Sequence, residues 1–337
     1  MNVKLSVIIV NYNNIKDTIE CIESVLVSTY KNFNIILVDN GSKEEVYSTL
    51  KQRFNSYEKV ILVRSERNGG YGYGNNIGIK YAEKLGSNYF LILNNDVIIE
   101  PNTIEKLIVH IKSNKSIGIV FPVIFLYSNK NENLINSIGG EFCVFGFSND
   151  KGFNKNYSDI KNEINNKFFS APGSCFLVTS RVLKEVNYFD ENIFLYWDDV
   201  DISWRVRLSN HKIHIVKNAF AFHKLSVSTG KKKNPFKVYH REFSCLYVLT
   251  KNLSLKSLLL LLPIYFILCF TKVIYSIVRK DILKATISAY VYFFKNLNKC
   301  FEARKQVQKS RKVSDKEIFK YQSFRPIFRT IKYMGRG

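Results

Sequence analysis

The chain has 337 residues, a formal charge of +22 at pH 7 and 46% hydrophobic residues, enough for one large domain, or a domain with an extension, around a full core. Its six cysteines (21, 143, 175, 245, 269 and 300) include no Cys-x-x-Cys pair. That argues against a zinc ribbon and a disulfide framework, and free thiols in a reducing compartment are the simplest reading. The charge is uneven: from Lys251 onward stand 19 Lys and Arg against 4 Asp and Glu. No nucleic-acid-binding motif accompanies this basic tail, so we expect an anionic membrane surface, not RNA or DNA, as its partner.

The opening "MNVKLSVIIVNYNN" holds an apolar run too short for a signal-peptide core, and polar residues follow at once. "KLSVIIVNYN" instead reads as a buried parallel strand. "DTIECIESVLVS" follows with helical spacing, then "FNIILVDNGS", a helix-like stretch, "VILVRS", the helix-like "NNIGIKYAEKL" and "NYFLILNNDV". Four strands with crossovers predict an open, mostly parallel α/β sheet with helices on both faces. Ligands gather at the carboxyl ends of such strands. Those ends carry Asn11, Asp39, the "RNGGYGYGNNIG" stretch and Asp96.

From about 120 to 170 the pattern loosens into Asn-, Lys- and Gly-rich sequence, where we expect loops and short strands around an acceptor groove. "FFSAPGSCFLVTSRVLKEV" reads as a strand and a helix, and "HKIHIVKNAFAFH" as an alternating strand ending in His223. "KKKNP" at 231–235 marks a boundary between a catalytic domain, 1–230, and a basic, partly apolar helical region, 231–337. In that region "LLLLLPIYFILCF" is uncharged but short of the roughly 18 to 20 residues that a spanning helix needs, and Lys272 interrupts it. A second apolar run, "ATISAYVYFF", ends at 294, and basic residues flank both. We favour helices lying in the membrane interface, with a true span or hairpin and plain packing against the catalytic domain as the alternatives, since "VIYSIV" continues the first run to 278; a polar, basic helix or helix pair follows from "EARKQVQKSRKVSDKEIFKY".

Several residues carry chemistry. "FLYWDDVDISWR" sets Asp198, Asp199 and Asp201 among apolar and aromatic neighbours. Mutual repulsion and burial both raise a carboxylate towards the range of a general base, while the plainer reading is acid at a helix N-terminus. Tyr196 and Trp197 could stack on a sugar or fill the core. Arg205 could assist a diphosphate, but stands four residues after Asp201, and pairing on one helix face is the favoured reading. Asp39, ending a buried strand, can accept hydrogen bonds from a base or a ribose, or simply open an Asp-Asn-Gly turn. The glycines at 72, 74 and 78 do not match the dinucleotide spacing, though the stretch could close over a nucleotide. Asp96, beside Asn94 and Asn95, offers oxygen to Mg²⁺ or Mn²⁺ held with substrate phosphates. A lone histidine such as His223 is structural unless it finds a partner, which Asp96 and a diphosphate would supply.

Together, "VIIVNYN", "VDNGS", "RNGGYGYGNNIG", "LNNDV", "FDENIFLYWDDVDISWR" and "FAFH" resemble the family 2 glycosyltransferases over residues 4–225, and most of all a rhamnosyltransferase-like and galactofuranosyltransferase-like branch. The resemblance implies the GT-A nucleotide-binding α/β fold. It implies Asn11, Asp39, Asn68, Asn76 and Asn95 at the nucleotide, Asp96 and His223 on a divalent metal, Mn²⁺ or Mg²⁺, and Asp199 as catalytic base. Asp198 takes the Glu place of the family's acidic pair, with Tyr196 and Trp197 as substrate contacts. Asn94 stands where the family's metal motif opens on Asp, a weaker ligand. The implied activity is metal-dependent, inverting sugar transfer from a dTDP- or UDP-linked donor to a lipid-linked or glycan acceptor at the cytoplasmic membrane face, by a peripheral or monotopic enzyme. The processive QxxRW motif is missing, since the two tryptophans are 197 and 204. A sugar nucleotidyltransferase would show a basic, glycine-rich loop after the first strand, and "NYNNIKD" is not one. A non-catalytic scaffold would be expected to lack Asp199 or His223.

Overall fold

The computed structural model describes residues 4–127, 133–225 and 234–327. The expected domain boundary falls on 226–233, outside them. Eleven strands are described. β1 (Leu5–Asn11), β2 (Phe33–Asn40), β3 (Val60–Ser65) and β4 (Tyr89–Asn94) precede β5 (Val97–Ile99), β6 (Ile117–Leu126) and β7 (Ile135–Ser137). β8 (Gly140–Cys143), β9 (Phe147–Asp150), β10 (Cys175–Thr179) and β11 (Lys212–His223) follow. The main sheet runs β3-β2-β1-β4-β10-β6-β11-β5, with β7 on β6, and β8 pairs with β9 as a separate hairpin.

The expected parallel half is present: β3, β2, β1 and β4 are mutually parallel neighbours. Beyond β4 the sheet is mixed, because β10 runs antiparallel between β4 and β6 and β5 runs antiparallel to β11. Strands with helices on both faces bury both sets of side chains, which is why they read as continuous aliphatic runs. In β6, "IGIVFPVIFL", every residue is buried.

The helices are α1 (Ile15–Leu26), α2 (Glu44–Phe54), α3 (Tyr71–Lys84) and α4 (Thr103–Lys112), the short α5 (Tyr157–Ile160) and α6 (Ser180–Glu185), and α7 (Asp198–Leu208). α1 and α4 cover one face of the sheet with Cys21, Ile22, Val25, Leu107 and Ile111. α3, α6 and α7 cover the other with Ile79, Ala82, Val182, Leu183, Ile202 and Val206. α3 sits close because it is glycine-rich. A Cβ on Gly74 would lie 2.7 Å from Val10 Cγ1, and one on Gly78 would lie 2.6 Å from Ile8 Cγ2. Gly74 and Gly78 of "RNGGYGYGNNIG" therefore serve helix-to-sheet approach, and the stretch is helix from Tyr71 onward.

Five more helices follow: α8 (Pro235–Asn252), α9 (Leu255–Ser276), α10 (Lys280–Lys295), α11 (Leu297–Ser310) and α12 (Asp315–Phe319). Their inner faces share one core with β8 and α7, in which Phe142, Trp197 and Trp204 pack with Tyr247, Phe293 and Val307. Charge reinforces the seam. Lys251 of α8, only 1% exposed, reaches Asp201 of α7 at 2.8 Å and also pairs with Asp190. Arg205 holds the other oxygen of Asp201 at 2.8 Å, the i,i+4 pairing expected from the sequence.

α9 corrects the sequence reading of a short, interrupted apolar run. It continues through Lys272 for 22 residues, with a mean hydropathy of 2.2, and is long and apolar enough to cross a membrane. Lys272 does not break it because its ammonium turns inward to Glu242 of α8 at 2.6 Å. The outer face, with Leu260, Phe266, Ile267 and Phe270, stays exposed.

Removing one partner of a buried ion pair strands the other, so Lys251→Ala should lower unfolding free energy by about 3–5 kcal/mol in urea titrations. A loss below about 1 kcal/mol would show that the seam stands on apolar packing alone.

Candidate active site

The carboxyl edge of the sheet collects the predicted residues. In the parallel register Asn11 lies beside Asp39, and both are fully buried. Asn11 Oδ1 accepts from Thr18 Oγ1 at 3.0 Å, and its amide points to Asp39 Oδ1 at 3.4 Å. Asp39 Oδ2 has no hydrogen-bond partner, with Arg64 Nε no closer than 3.7 Å. A buried carboxylate oxygen left in that state is expensive unless a donor arrives. Next to it, Asn40 binds Asn68 Oδ1 at 3.0 Å, and the same oxygen accepts from Gly70 N. Gly70 starts α3 at φ +91°, and a Cβ there would lie 2.4 Å from the carbonyl oxygen of Phe194.

At the tip of β4, Asn94 N donates to the carbonyl of Ser174, which leads into β10. Asp96 follows in the turn. His223, ending β11 opposite Val97, places Nε2 3.2 Å from Asp96 Oδ1, while Nδ1 faces Asn136 Oδ1 at 3.0 Å. Asn136 thereby fixes the imidazole from behind, as outer-shell partners of metal-binding histidines do. The described residues hold no cluster of three or more His, Cys, Asp or Glu that could cage a metal unaided. Asp96 and His223 nonetheless fit a divalent ion bound partly by substrate. Their 3.2 Å separation matches adjacent ligands on an ion with bonds of about 2.1 Å, and carboxylate, imidazole and phosphate suit Mn²⁺ or Mg²⁺.

The third component comes from α7. Asp199, in the first turn of α7, accepts from Gly173 N at 3.3 Å through Oδ2 and from Val200 N at 2.8 Å through Oδ1. Gly173 precedes Ser174, so one loop ties Asp199 to the tip of β4. Burial, with the charge of Asp150 on β9 adding to it, pushes the Asp199 carboxyl up to about 6. Burial pushes Asp198 well above the usual carboxylate range, and Asp199 then Asp201 add to it. The backbone entering α7 is strained: Tyr196 and Trp197 take φ of 63° and 70°, in a region costing a non-glycine residue about 1–3 kcal/mol. Ser244 Oγ holds the Leu195 carbonyl just before them, and the Asp201 amide binds the Trp197 carbonyl.

Comparison with known proteins settles the family. The family model described as "Glycosyl transferase family 2" matches residues 6–186. The chain is a family 2 glycosyltransferase. Glycosyltransferase GlyG of Streptococcus pneumoniae is 27% identical over 65% of this chain and 69% of its own length. The low-salt glycan biosynthesis hexosyltransferase Agl10 of Haloferax volcanii is 26% identical over 70% of this chain and 72% of its own. Among solved structures, GalNAc-T7 with UDP, GalNAc and Mn²⁺ superposes with a TM-score of 0.58 at 16% identity, over 74% of this chain but 48% of that one. The mannosyltransferase PcManGT of Pyrobaculum calidifontis, in complex with GDP-Man and Mn²⁺, gives 0.52 at 10% identity, over 94% and 85%. These likenesses carry the GT-A fold.

Not every predicted residue of this glycosyltransferase faces the edge. Asn76 is buried in α3, spent on the Phe189 backbone and on Glu191 Oε1 at 2.9 Å. Asn95 donates to Thr18 Oγ1 at 2.9 Å and steadies the strand tips. Trp197 fills the core against Phe142, while Tyr196 is half-buried. Asp198 and Asp201 do not raise Asp199 as expected from the sequence: Asp201 is held by Arg205 and Lys251, and burial with Asp150 raises Asp199 instead. Sequence reading missed Asp150, Gly173 and Tyr71, whose hydroxyl binds the Gly173 carbonyl at 2.6 Å. The "SAPGSC" turn was the available signal, a glycine where backbone must meet a carboxylate. A Cβ on Gly173 would lie 3.2 Å from Asp199 Cβ.

A carboxyl group raised in the folded state takes up protons there first, so folding loses stability as pH climbs from the ordinary Asp range through about 6. Asp199→Asn removes this cost. The variant should melt above wild type at pH 7.5 and lose that margin towards pH 4; a margin independent of pH would contradict the burial argument.

Proposed function

We propose that the enzyme performs metal-dependent, inverting transfer of a sugar from a nucleoside diphosphate donor to a lipid-linked or glycan acceptor, at the cytoplasmic membrane face. The observation that carries the reading is one sheet edge holding a buried, unsatisfied acceptor at Asp39 and a paired Asp96 and His223, beside Asp199 of α7 with its carboxyl pushed up to about 6.

Asp39, flanked by Asn11, receives donor groups of the nucleoside, and Asn68 shapes the adjoining wall. Asp96 and His223 would hold the divalent ion, which would supply positive charge for the departing diphosphate. Asp199 accepts the proton of the acceptor hydroxyl. That oxygen bonds to the anomeric carbon from the face opposite the diphosphate, the carbon–oxygen bond to phosphate breaks, and the nucleoside diphosphate leaves with the electron pair. Attack from the opposite face inverts the anomeric configuration. Asp198, buried and lacking a partner at Oδ1, and half-buried Tyr196 border the acceptor side, while Trp197 supports them from the core. Asn76 and Asn95 act as positioning residues. The donor base is most simply uracil or thymine, by the resemblance noted in the sequence. The exposed apolar face of α9, with basic residues around it, keeps the enzyme in the membrane interface beside a lipid-linked acceptor. Residues 1–230 would form the catalytic unit and 231–337 the membrane-associating one.

The test is transfer and donor hydrolysis by purified protein, screened over UDP-, dTDP- and GDP-sugars with Mn²⁺, Mg²⁺ or EDTA. One donor should be turned over, EDTA should abolish turnover, and Asp199→Asn should lower kcat by about 10²–10⁴-fold. Full activity in Asp199→Asn would overturn the assigned base, and full activity in EDTA would overturn the metal.

A further inference from the structure

A second cleft, of about 620 Å³, opens behind the β8–β9 hairpin, between the segment 155–168 and the returning chain at 320–325. Its lining includes five cations, Lys151, Lys155, Lys167, Lys320 and Arg325, against two carboxylates, Glu141 and Glu163. Two of these cations are engaged: Lys320 pairs with Glu317 at 2.6 Å and Arg325 approaches Glu141 at 3.6 Å. Lys151 donates to the Lys167 carbonyl, and burial, opposed by nearby Glu141 but reinforced by Arg325 and Lys167, holds its ammonium below the ordinary lysine range. Like charges crowded around a half-enclosed cleft call for an anion. Two buried acceptors in the lining, Glu141 Oε2 and Gln322 Oε1, also have no hydrogen-bond partner, and they call for hydroxyl or amide donors. An occupant that is both anionic and rich in hydroxyls satisfies both.

The chain that lines the cleft runs close to the reaction centre and to the apolar helix. From Phe168 in its lining, the chain reaches Gly173, the Asp199 partner, within at most about 18 Å. Asp150, which raises Asp199, immediately precedes Lys151 of the cleft. On the far side the hairpin rests on α9: Tyr265 donates to the Val144 carbonyl at 2.9 Å, and Lys272 sits 6.0 Å from the Phe147 ring. One hairpin thus adjoins the basic cleft, carries the Asp150 charge felt by Asp199, and rests on the inner side of α9.

We infer that this cleft is an acceptor subsite, in which Lys151, Lys155 and Lys167 hold the anionic group of a saccharide acceptor while Glu141 and Gln322 take its hydroxyls. The anion is the phosphate of a lipid-linked saccharide or the carboxylate of an acidic glycan, and adjacency to α9 favours the first. The inference rests on the transferase reading above and names the acceptor class for it.

The test needs no turnover. The UDP-saturated full chain is titrated calorimetrically with farnesyl diphosphate-linked N-acetylglucosamine, with a uronate-containing tetrasaccharide, and with octyl glucoside as the uncharged control. The double variant Lys155→Glu/Lys167→Glu, both exposed sites, is titrated alongside. Wild type should bind one anionic probe at least about tenfold more tightly than the variant, with the gap closing in high salt, while UDP affinity and donor hydrolysis stay unchanged. The responding probe identifies the source of the anion. Equal binding by both proteins, or no binding of either anionic probe, overturns the inference. If donor hydrolysis proceeds in that case, only the subsite fails; if wild type also neither binds UDP nor hydrolyses any donor, the transferase reading fails with it.

Discussion

The site depends on strand register. Because β1, β2 and β4 are paired in parallel, Asn11, Asp39 and Asn94 end side by side on one edge. β10 pairs antiparallel to β4, so the segment before it, Gly173-Ser174, starts at that same edge and offers an amide to Asp199. β11, parallel to β6 and antiparallel to β5, delivers His223 to Asp96. Slipping any of these strands by one residue would move every side chain to the opposite face and carry Asn11, Asp39 or His223 out of line with its partners.

A second constraint keeps Asp199 usable. A carboxylate that is partly desolvated, close to Asp198 and preceded by two residues in left-handed conformation is costly in every respect. The cost is borne by α7, which is buried along nearly its whole length, and by the ion-pair network that ties it to α8 through Asp201 and Lys251. The C-terminal helices are therefore part of the support of the site, besides presenting the apolar face of α9.

Much of this was legible in the sequence because the relevant signals are local. Aliphatic runs ending in polar residues gave the parallel strands and their tips, and the acidic cluster gave the entry to α7. The i,i+4 spacing gave the Asp201–Arg205 pair. What escaped depends on contacts distant in sequence. Lys251 reads as one more charge of a basic tail until it is seen between two buried carboxylates. Lys272 reads as a break in an apolar run until Glu242 is seen opposite it. The strands β8 and β9 are four residues each, too short for an alternating pattern, so Asp150 could not be placed near Asp199. Gly74, Gly78 and Asn76 of "RNGGYGYGNNIG" had a ligand-like composition in the sequence, and in the structure they serve close packing and loop attachment.

The central claim is that one carboxylate, raised by burial, takes the acceptor proton. The pH dependence of kcat/KM for transfer, measured with saturating metal, addresses it most directly, because a protonated Asp199 cannot act as a base. The account predicts that kcat/KM falls as pH drops through about 6, with an acid limb that Asp150→Asn displaces downward by removing a neighbouring charge but does not abolish. A rate unchanged between pH 5 and pH 8 would contradict it.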